Sequence, residues 1–141
     1  VIEHLQEPDK GITEIGRVLK DSGMLYITAP MCWRIHYAPD DYFRFTKYGL
    51  EYLLRKSGLE ILAMERVGGF FSYAAVRLID IFVLRIFFQF LSFFGIKRGK
   101  YRLAAILTMP ASIIFSVVAK LLDLLEPDDA YGWAVLARKV Q

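Results

Sequence analysis

The sequence is poor in the residues that stabilise and decorate extracellular domains. Its 141 residues include one cysteine, Cys32, two histidines and no asparagine. A single cysteine excludes an internal disulfide, and a chain without asparagine has no N-glycan acceptor. No basic, apolar leader opens the sequence, so we expect no secretory signal and a reducing, cytoplasmic setting. Because the first residue is Val1 rather than Met, we expect the chain to be a piece of a longer protein.

Apolar residues are abundant but unevenly placed. They make up 55% of the chain against 23% charged residues, which excludes a disordered chain and is enough for a buried core. Residues 70–94 hold eight of the eleven phenylalanines, and residues 70–126 carry seven Lys and Arg against three acids. Cations among Phe and Leu suit an anionic membrane surface, whereas nucleic acid needs exposed stacking platforms. We therefore expect residues 70–126 to contact a membrane surface, and we expect no nucleic-acid partner.

The remaining residues alternate between helix and strand signals. Apolar residues recur at helical spacing after Pro8, and Thr46 is placed to cap a helix that runs to Lys56 and ends before Gly58. The apolar run 24–29, closed by Pro30, predicts a strand buried on both faces, and residues 59–67 predict a second strand. Strand, helix and strand with short joints predict a right-handed parallel crossover. The run 133–137 adds one more strand, so the fold class is α/β.

Two hydrophobic segments, 70–96 and 103–125, predict a helical hairpin inserted into this α/β core. The basic sequence 97–102 joins them. The uncharged stretch 103–119 has seventeen residues interrupted by Pro110, short of the about 20 residues that span a bilayer. We therefore expect the hairpin to lie in one leaflet. A lid over the sheet and a homodimer interface are the alternatives. The predicted division is residues 1–69 with 127–141 as a partial core, and residues 70–126 as the insertion.

Several short motifs together resemble class I S-adenosylmethionine-dependent methyltransferases, in the type that acts on small molecules, lipids and sugars. The matching positions are Val1-Ile2-Glu3-His4-Leu5, Pro8, Glu14-Ile15, Arg17-Val18-Leu19-Lys20, Gly23 and Pro30, then the loop 36–46, Gly49-Leu50, Leu53-Leu54, Gly58 and the strand 132–139. The resemblance covers residues 1–67 and 130–141, and the hairpin lies outside it.

The resemblance implies a Rossmann-like methyltransferase sheet of which this chain carries the C-terminal half. It implies S-adenosylmethionine as the cofactor of the complete protein. The family's glycine-rich turn after the first strand, and the acid that ends the second, have no counterpart in these 141 residues, since Gly68-Gly69 leads into Phe-Phe. We therefore expect this chain to be inactive alone.

The resemblance places Glu3 and His4 where the fourth sheet strand meets the cofactor pocket. Glu3 is a candidate cofactor-binding residue, chiefly through its backbone. His4 is a candidate for cofactor binding and for catalysis as a base, because ligands collect at the carboxyl ends of parallel strands. The structural alternatives are that Glu3 is an acid favoured by the N-terminus of the following helix, and that His4 hydrogen-bonds to nearby backbone.

The loop after Pro30 supplies the other candidates. His36 is a candidate catalytic and substrate-binding residue, and Tyr42 and Arg44 are candidate substrate-binding residues, since together they can orient an anionic or hydroxylated acceptor. We expect Arg44 at a ligand-facing rim; the alternative is a surface pair with a nearby aspartate. Cys32 is interpreted as a small buried hydrophobe. The two histidines are thirty-two residues apart, so no metal-ligand spacing can be read and we expect no metal.

Two functions remain open at this point. The first is S-adenosylmethionine-dependent methyl transfer to a small, lipid or lipid-linked acceptor by a peripheral or monotopic enzyme at the inner face of a membrane. The second is a non-catalytic anchoring or interaction module, built on a remnant of the methyltransferase fold. The acceptor, the methylated atom and the oligomeric state cannot be read from the sequence.

Overall fold

The computed structural model describes residues 1–81, 86, 88–93, 95, 101–126 and 128–140. The chain forms two compact units, one of Val1–Val67 with Ala130–Gln141 and the other of Gly68–Asp129. The first unit is mixed α/β and carries a three-stranded sheet. The second unit is helical in the residues described.

Both helices predicted for the first unit are confirmed. Helix α1 spans Pro8–Val18, with proline in the first turn where a missing amide costs nothing. Helix α2 spans Lys47–Lys56, and its first turn is closed by Thr46, whose hydroxyl accepts from Gly49 N at 3.1 Å. Gly58, which follows α2, has φ +74°, a conformation that residues with a Cβ rarely adopt.

Three strands form the sheet in the order β1-β3-β2, where β1 is Met24–Pro30, β2 is Leu59–Val67 and β3 is Gly132–Lys139. Strand β3 is antiparallel to both neighbours, and its Val135 lies opposite Ile27 of β1 and Met64 of β2. The sequence predicted that β1 and β2 are parallel, and this is confirmed, although the two strands are not adjacent. Strand β3 separates them, because its near-continuous apolar run suits a central strand.

The expectation that β1 is buried on both faces is wrong. Ile27 and Ala29 face the core, whereas Tyr26 is 67% exposed and Met24 is half exposed. Burial therefore alternates along β1, as on a strand packed on one side only. The core beneath that side contains six completely or almost completely buried residues: Ile2, Ile12, Leu50, Leu54, Leu59 and Val135.

In its described residues, the second unit contains three α-helices, α3 at Phe70–Ile79, α4 at Phe88–Phe93 and α5 at Tyr101–Leu122. Pro110 lies inside α5 and does not break it, contrary to expectation, because a proline removes one amide donor while the flanking turns keep theirs. Arg85 and residues 97–100 of the predicted basic turn lie outside the described residues. Among the helices described, none combines the length and apolarity needed to cross a membrane.

Asp123, which follows α5, links the end of that helix to the start of α3 through hydrogen bonds. Its buried carboxylate accepts three main-chain hydrogen bonds, from Gly69 N at 2.9 Å, Phe71 N at 2.9 Å and Ser72 N at 3.1 Å. A Cβ on Gly69 would lie 2.7 Å from Asp123 Oδ1, so only glycine allows this approach. The side chain thus satisfies amides that a helix N-terminus leaves without partners, although it comes from more than fifty residues away.

Candidate functional site

A cleft of about 320 Å³ lies in the first unit, where β1 and β2 end and β3 begins. Its lining includes Glu3, Pro30, Trp33, His36, Tyr131 and Trp133. The rings of Trp33 and Tyr131 lie 5.6 Å apart between centroids. The carboxyl ends of strands that run in one direction are where ligands bind in open α/β sheets. The volume is at the lower end of the range for small-molecule sites.

Glu3 lies in a short 3-10 turn, Ile2–His4, that precedes α1 at the cleft. Its carbonyl accepts from Tyr42 N at 2.9 Å and Phe43 N at 3.2 Å, which joins the turn to the loop after β1. Its carboxylate is 90% buried, and Oε2 accepts from the α-amino group of Val1 at 2.6 Å. Burial works to raise the pKa of Glu3, but that amine and the residue's own amide hold the pKa below its usual value.

The two histidines meet beside Glu3. Their rings pack edge to face, with centroids 4.8 Å apart. His4 Nδ1 lies 2.5 Å from the carbonyl of Asp40, and His36 Nδ1 lies 3.3 Å from the carbonyl of Arg34 and 3.4 Å from Asp41 Oδ2. Because these oxygens only accept, the contacts fit a hydrogen on Nδ1 of each ring. The Nε2 atoms lie toward Glu3 Oε1, at 3.5 Å for His4 and 3.9 Å for His36.

Arg44 forms an aspartate pair, which is the alternative that the sequence left open. It donates to Asp41 Oδ1 at 2.7 Å and Oδ2 at 2.9 Å, and further to the carbonyls of Trp33, Phe43 and Arg34. The Asp41 side chain is only 1% exposed. Hydrogen bonds from Arg44 and from the His36 amide hold the pKa of Asp41 far below its usual value. Arg44 therefore fixes the loop that carries His36, and substrate binding by Arg44 stays a prediction.

Tyr42 lies at the outer side of the same loop. Its hydroxyl donates to Asp40 Oδ1 at 2.7 Å and accepts from Gln6 at 3.1 Å, and the residue is 40% exposed. Because Asp40 also accepts from His4, Tyr42 belongs to the set of contacts that orients this histidine. Its predicted contact with substrate is not tested by these contacts.

The fold thus brings Glu3, His4 and His36 within reach of one another, although thirty-two residues separate the histidines. One ligand atom from each of these three residues lies within 4.8 Å of the others. Spacing along the chain, the argument used against a metal, is no guide here because the loop folds back onto the turn. Cys32, expected to be buried, is exposed.

Two features of the site gave no sequence signal. Asp41 stands in a run of polar residues that resembles any surface loop, and its burial follows from the Arg44 contact. The indole Nε1 of Trp133 is buried in the cleft wall, and among the described residues it has no hydrogen-bond acceptor. A tryptophan within an apolar strand predicts packing only, so sequence reasoning could not have found this donor.

No protein-family model and no curated protein matches the chain. Among solved structures, the [4+2]-cyclase SpnF is similar with a TM-score of 0.47 and 23% identity, over 99% of this chain and 47% of its own. The Haemonchus contortus phospholethanolamine N-methyltransferase 2, in complex with phosphomonomethylethanolamine and S-adenosylhomocysteine, is similar with a TM-score of 0.47 and 17% identity, over 99% and 32%. The chain spans about half the length of the first and a third of the second. Likeness at this level assigns no activity.

Proposed function

We propose that the protein acts in S-adenosylmethionine-dependent methyl transfer to a small acceptor. The observation that carries the proposal is a pair of histidines, His36 in the cleft lining and His4 packed against it, each with Nδ1 near an acceptor and Nε2 toward the buried Glu3. These are residues that the methyltransferase resemblance singles out, and the fold collects them at the carboxyl ends of β1 and β2.

Methyl transfer from a sulfonium is an in-line displacement, so the protein acts mainly by holding donor and acceptor in contact. A base is needed where the acceptor carries a proton. His36 lines the cleft and is one third exposed, so its Nε2 can accept that proton from an acceptor hydroxyl or amine. His4 packs behind it and restricts its ring.

The cleft residues fit the methyl-donor end of the cofactor. A sulfonium cation is favoured beside a carboxylate and over aromatic faces, and Glu3, Trp33 and Tyr131 supply these. The buried Nε1 of Trp133 is a hydrogen-bond donor, and a polar ligand in the cleft would accept its hydrogen bond. The cofactor supplies the activated methyl group, and this chain's residues orient it and receive the proton.

We further propose that the acceptor is a lipid or lipid-linked molecule reached at a membrane surface. The support is the second unit, in which α5 and the turn after it expose ten large apolar side chains: Met109, Ile113, Ile114, Phe115, Val117, Val118, Leu121, Leu122, Leu124 and Leu125. An exposed apolar surface of this extent marks an interaction site. The seven cations of residues 70–126 favour an anionic surface.

The protein, expressed from its natural reading frame, is incubated with lipid vesicles and S-adenosylmethionine that carries a labelled methyl group. The lipids are then extracted and the transferred label is measured. We expect incorporation that falls about 10²- to 10⁴-fold in His36→Ala, the usual contribution of a general base. Glu14→Ala, a change of an exposed acid on α1, is the matched control and should transfer normally.

A non-catalytic anchoring module is the second candidate, because these 141 residues contain no glycine-rich turn for the cofactor. On that view the protein binds vesicles, yet neither binds S-adenosylmethionine nor incorporates label. Vesicle binding without transfer in the natural reading frame would therefore favour the module over the enzyme.

A further inference from the structure

We infer that Glu3, His4 and His36 form a binding site for one divalent transition-metal ion of the zinc class. The ligand atoms are Glu3 Oε1, His4 Nε2 and His36 Nε2. This inference does not depend on methyl transfer, since it rests on the positions of these atoms and of the groups behind them.

The distances among the ligand atoms suit a shared ion. Zinc bonds to nitrogen and oxygen are about 2.0–2.2 Å, which places neighbouring ligand atoms of a tetrahedral site about 3.4 Å apart. Glu3 Oε1 lies 3.5 Å from His4 Nε2 and 3.9 Å from His36 Nε2. All three ligand atoms lie within 4.8 Å of one another, so the separation of a pair must shorten by up to about 1.4 Å to complete the coordination.

The hydrogen bonds on the far side of each ring point to the same conclusion. His4 Nδ1 donates to the Asp40 carbonyl, and His36 Nδ1 faces the Arg34 carbonyl and the Asp41 carboxylate. Metal-binding histidines have this arrangement almost without exception, because the second hydrogen bond fixes the tautomer and the ring. A ring with this tautomer and no second proton has its Nε2 lone pair left for the ion.

Without a metal ion or a further ring proton, this arrangement brings together three atoms that can only accept. Two Nε2 lone pairs and a carboxylate oxygen face one another, and the distances to Oε1 are too long for good hydrogen bonds. The Val1 α-amino group compensates Glu3 on Oε2, but Glu3 is buried, so water compensates little at Oε1. A metal ion satisfies all three atoms at once. The competing explanation is an added proton on a ring, which the test separates from metal binding.

The ligand types select the ion. Two imidazoles and one carboxylate favour zinc, iron and similar ions, whereas magnesium and calcium prefer oxygen ligands alone. Since Glu3 and His36 line the cleft, the fourth position faces the space where a ligand would bind. Three protein ligands with one open position are typical of a reactive zinc site rather than a structural one.

The test uses the 141-residue chain without a histidine tag, freed of metal by a chelator. Zn²⁺ binding is measured by calorimetry, and Co²⁺ binding by visible absorption, with neither cofactor nor acceptor present. We expect one ion per chain, and binding at least about 100-fold weaker in His4→Gln and in His36→Gln. Mg²⁺ should produce no heat. Glu14→Gln and Cys32→Ser, an exposed acid and the single thiol, are controls that should bind like the parent.

A second measurement needs no variant. The chain has two histidines, so nitrogen NMR resolves both rings, and Zn²⁺ should shift Nε2 of each while both Nδ1 atoms keep their hydrogens. The inference is overturned if the parent binds no Zn²⁺, if His36→Gln binds as tightly as the parent, or if only Cys32→Ser loses binding. Rings that gain a proton at Nε2 instead of an ion would support the competing explanation. Methyl transfer has its own assay; a Zn²⁺ ion bound to His36 Nε2 would prevent that atom from acting as the base proposed there.

Discussion

Arg44 and Asp41 form a two-pronged ion pair in which both carboxylate oxygens accept, at 2.7 and 2.9 Å, from separate nitrogens of the guanidinium. Asp41 is almost completely enclosed, and its remaining contacts are with His36. The pair therefore sets the position of a candidate site residue without itself lining the cleft. Such a geometry needs the planar fork of arginine.

Replacing Arg44 by alanine should lower the stability of the first unit. The change leaves the buried Asp41 carboxylate without its main partner, and we expect a loss of about 2–4 kcal/mol in the free energy of unfolding, because one charge of the pair is partly exposed. Chemical denaturation followed by tryptophan fluorescence measures it. Arg44→Lys should recover only part of the loss, since lysine cannot donate to both oxygens.

The matched control is Arg55→Ala. Arg55 also pairs with an acid, Glu51 at 2.9 Å, but on the exposed side of α2. Exposed pairs of this kind contribute about 0.3–0.5 kcal/mol. An Arg44 variant that unfolds like the Arg55 variant would show that the guanidinium is free for another role, such as binding substrate.

Asp123→Asn should make the stability of the second unit less sensitive to acid. Burial works to raise the pKa of Asp123, but hydrogen bonds from Ser72, Gly69 and Phe71 hold it below its usual value. The unfolded chain then binds more protons, so the stabilisation is present above about pH 4 and is lost as the pH falls through the folded-state pKa. We expect the free energy of unfolding of the parent to exceed that of the variant by about 1–2 kcal/mol at neutral pH. This difference should disappear in acid.

Thermal unfolding followed by the helical circular dichroism signal, across a series of pH values, measures this gap. Asp21→Asn, at an exposed turn of the first unit, is the control and should unfold like the parent at neutral pH. A constant difference between parent and Asp123→Asn at every pH would contradict the assigned role of the carboxylate charge.

The 141-residue chain should not bind S-adenosylmethionine tightly by itself. The cleft offers Glu3 and two aromatic rings for the sulfonium end, but these residues include no glycine-rich turn for the rest of the cofactor. We expect calorimetry to give no measurable heat at micromolar concentrations. A dissociation constant near 1 μM, about −8 kcal/mol, would show that the cleft alone holds the cofactor.

The second unit should bind vesicles through α5. Ile114 and Leu121 are 66% and 61% exposed and lie two turns apart on one helix face. Because each buried aliphatic side chain contributes about 1.5–3 kcal/mol, changing both to serine should weaken sedimentation with anionic vesicles more than tenfold. The control changes Tyr48 and Tyr52, two exposed residues of α2, to serine. Equal binding by both double variants would refute contact through α5.

The helices and strand limits of the first unit could be predicted because their signals are local. Thr46 caps α2 through an amide three residues away, and Gly58 adopts its positive φ regardless of distant contacts. The position of β3 could not be predicted. An apolar run indicates a buried strand, but which strands it joins depends on pairing across more than sixty residues. The open face of β1 was missed for the same reason.

The candidate site was predictable residue by residue but not as an arrangement. His4 and His36 were each singled out, yet their contact with Glu3 depends on Tyr42 and Phe43 bonding to the Glu3 carbonyl. The role of Asp41 follows from burial, which a polar loop sequence does not reveal. Nor did any local pattern indicate that Asp123 would bind the amides at the start of α3.

The position of β3 also dictates an order of events during synthesis. Within these 141 residues, β1 and β2 are synthesised before the strand that lies between them, and residues 68–129 follow before Gly132–Lys139 can pair with both. Until then the edges of β1 and β2 that pair with β3 are open. The nascent chain exposes these edges, together with core side chains such as Ile27 and Leu59, to other proteins. A premature stop anywhere before β3 should therefore yield an aggregating, chaperone-bound product rather than a smaller folded one.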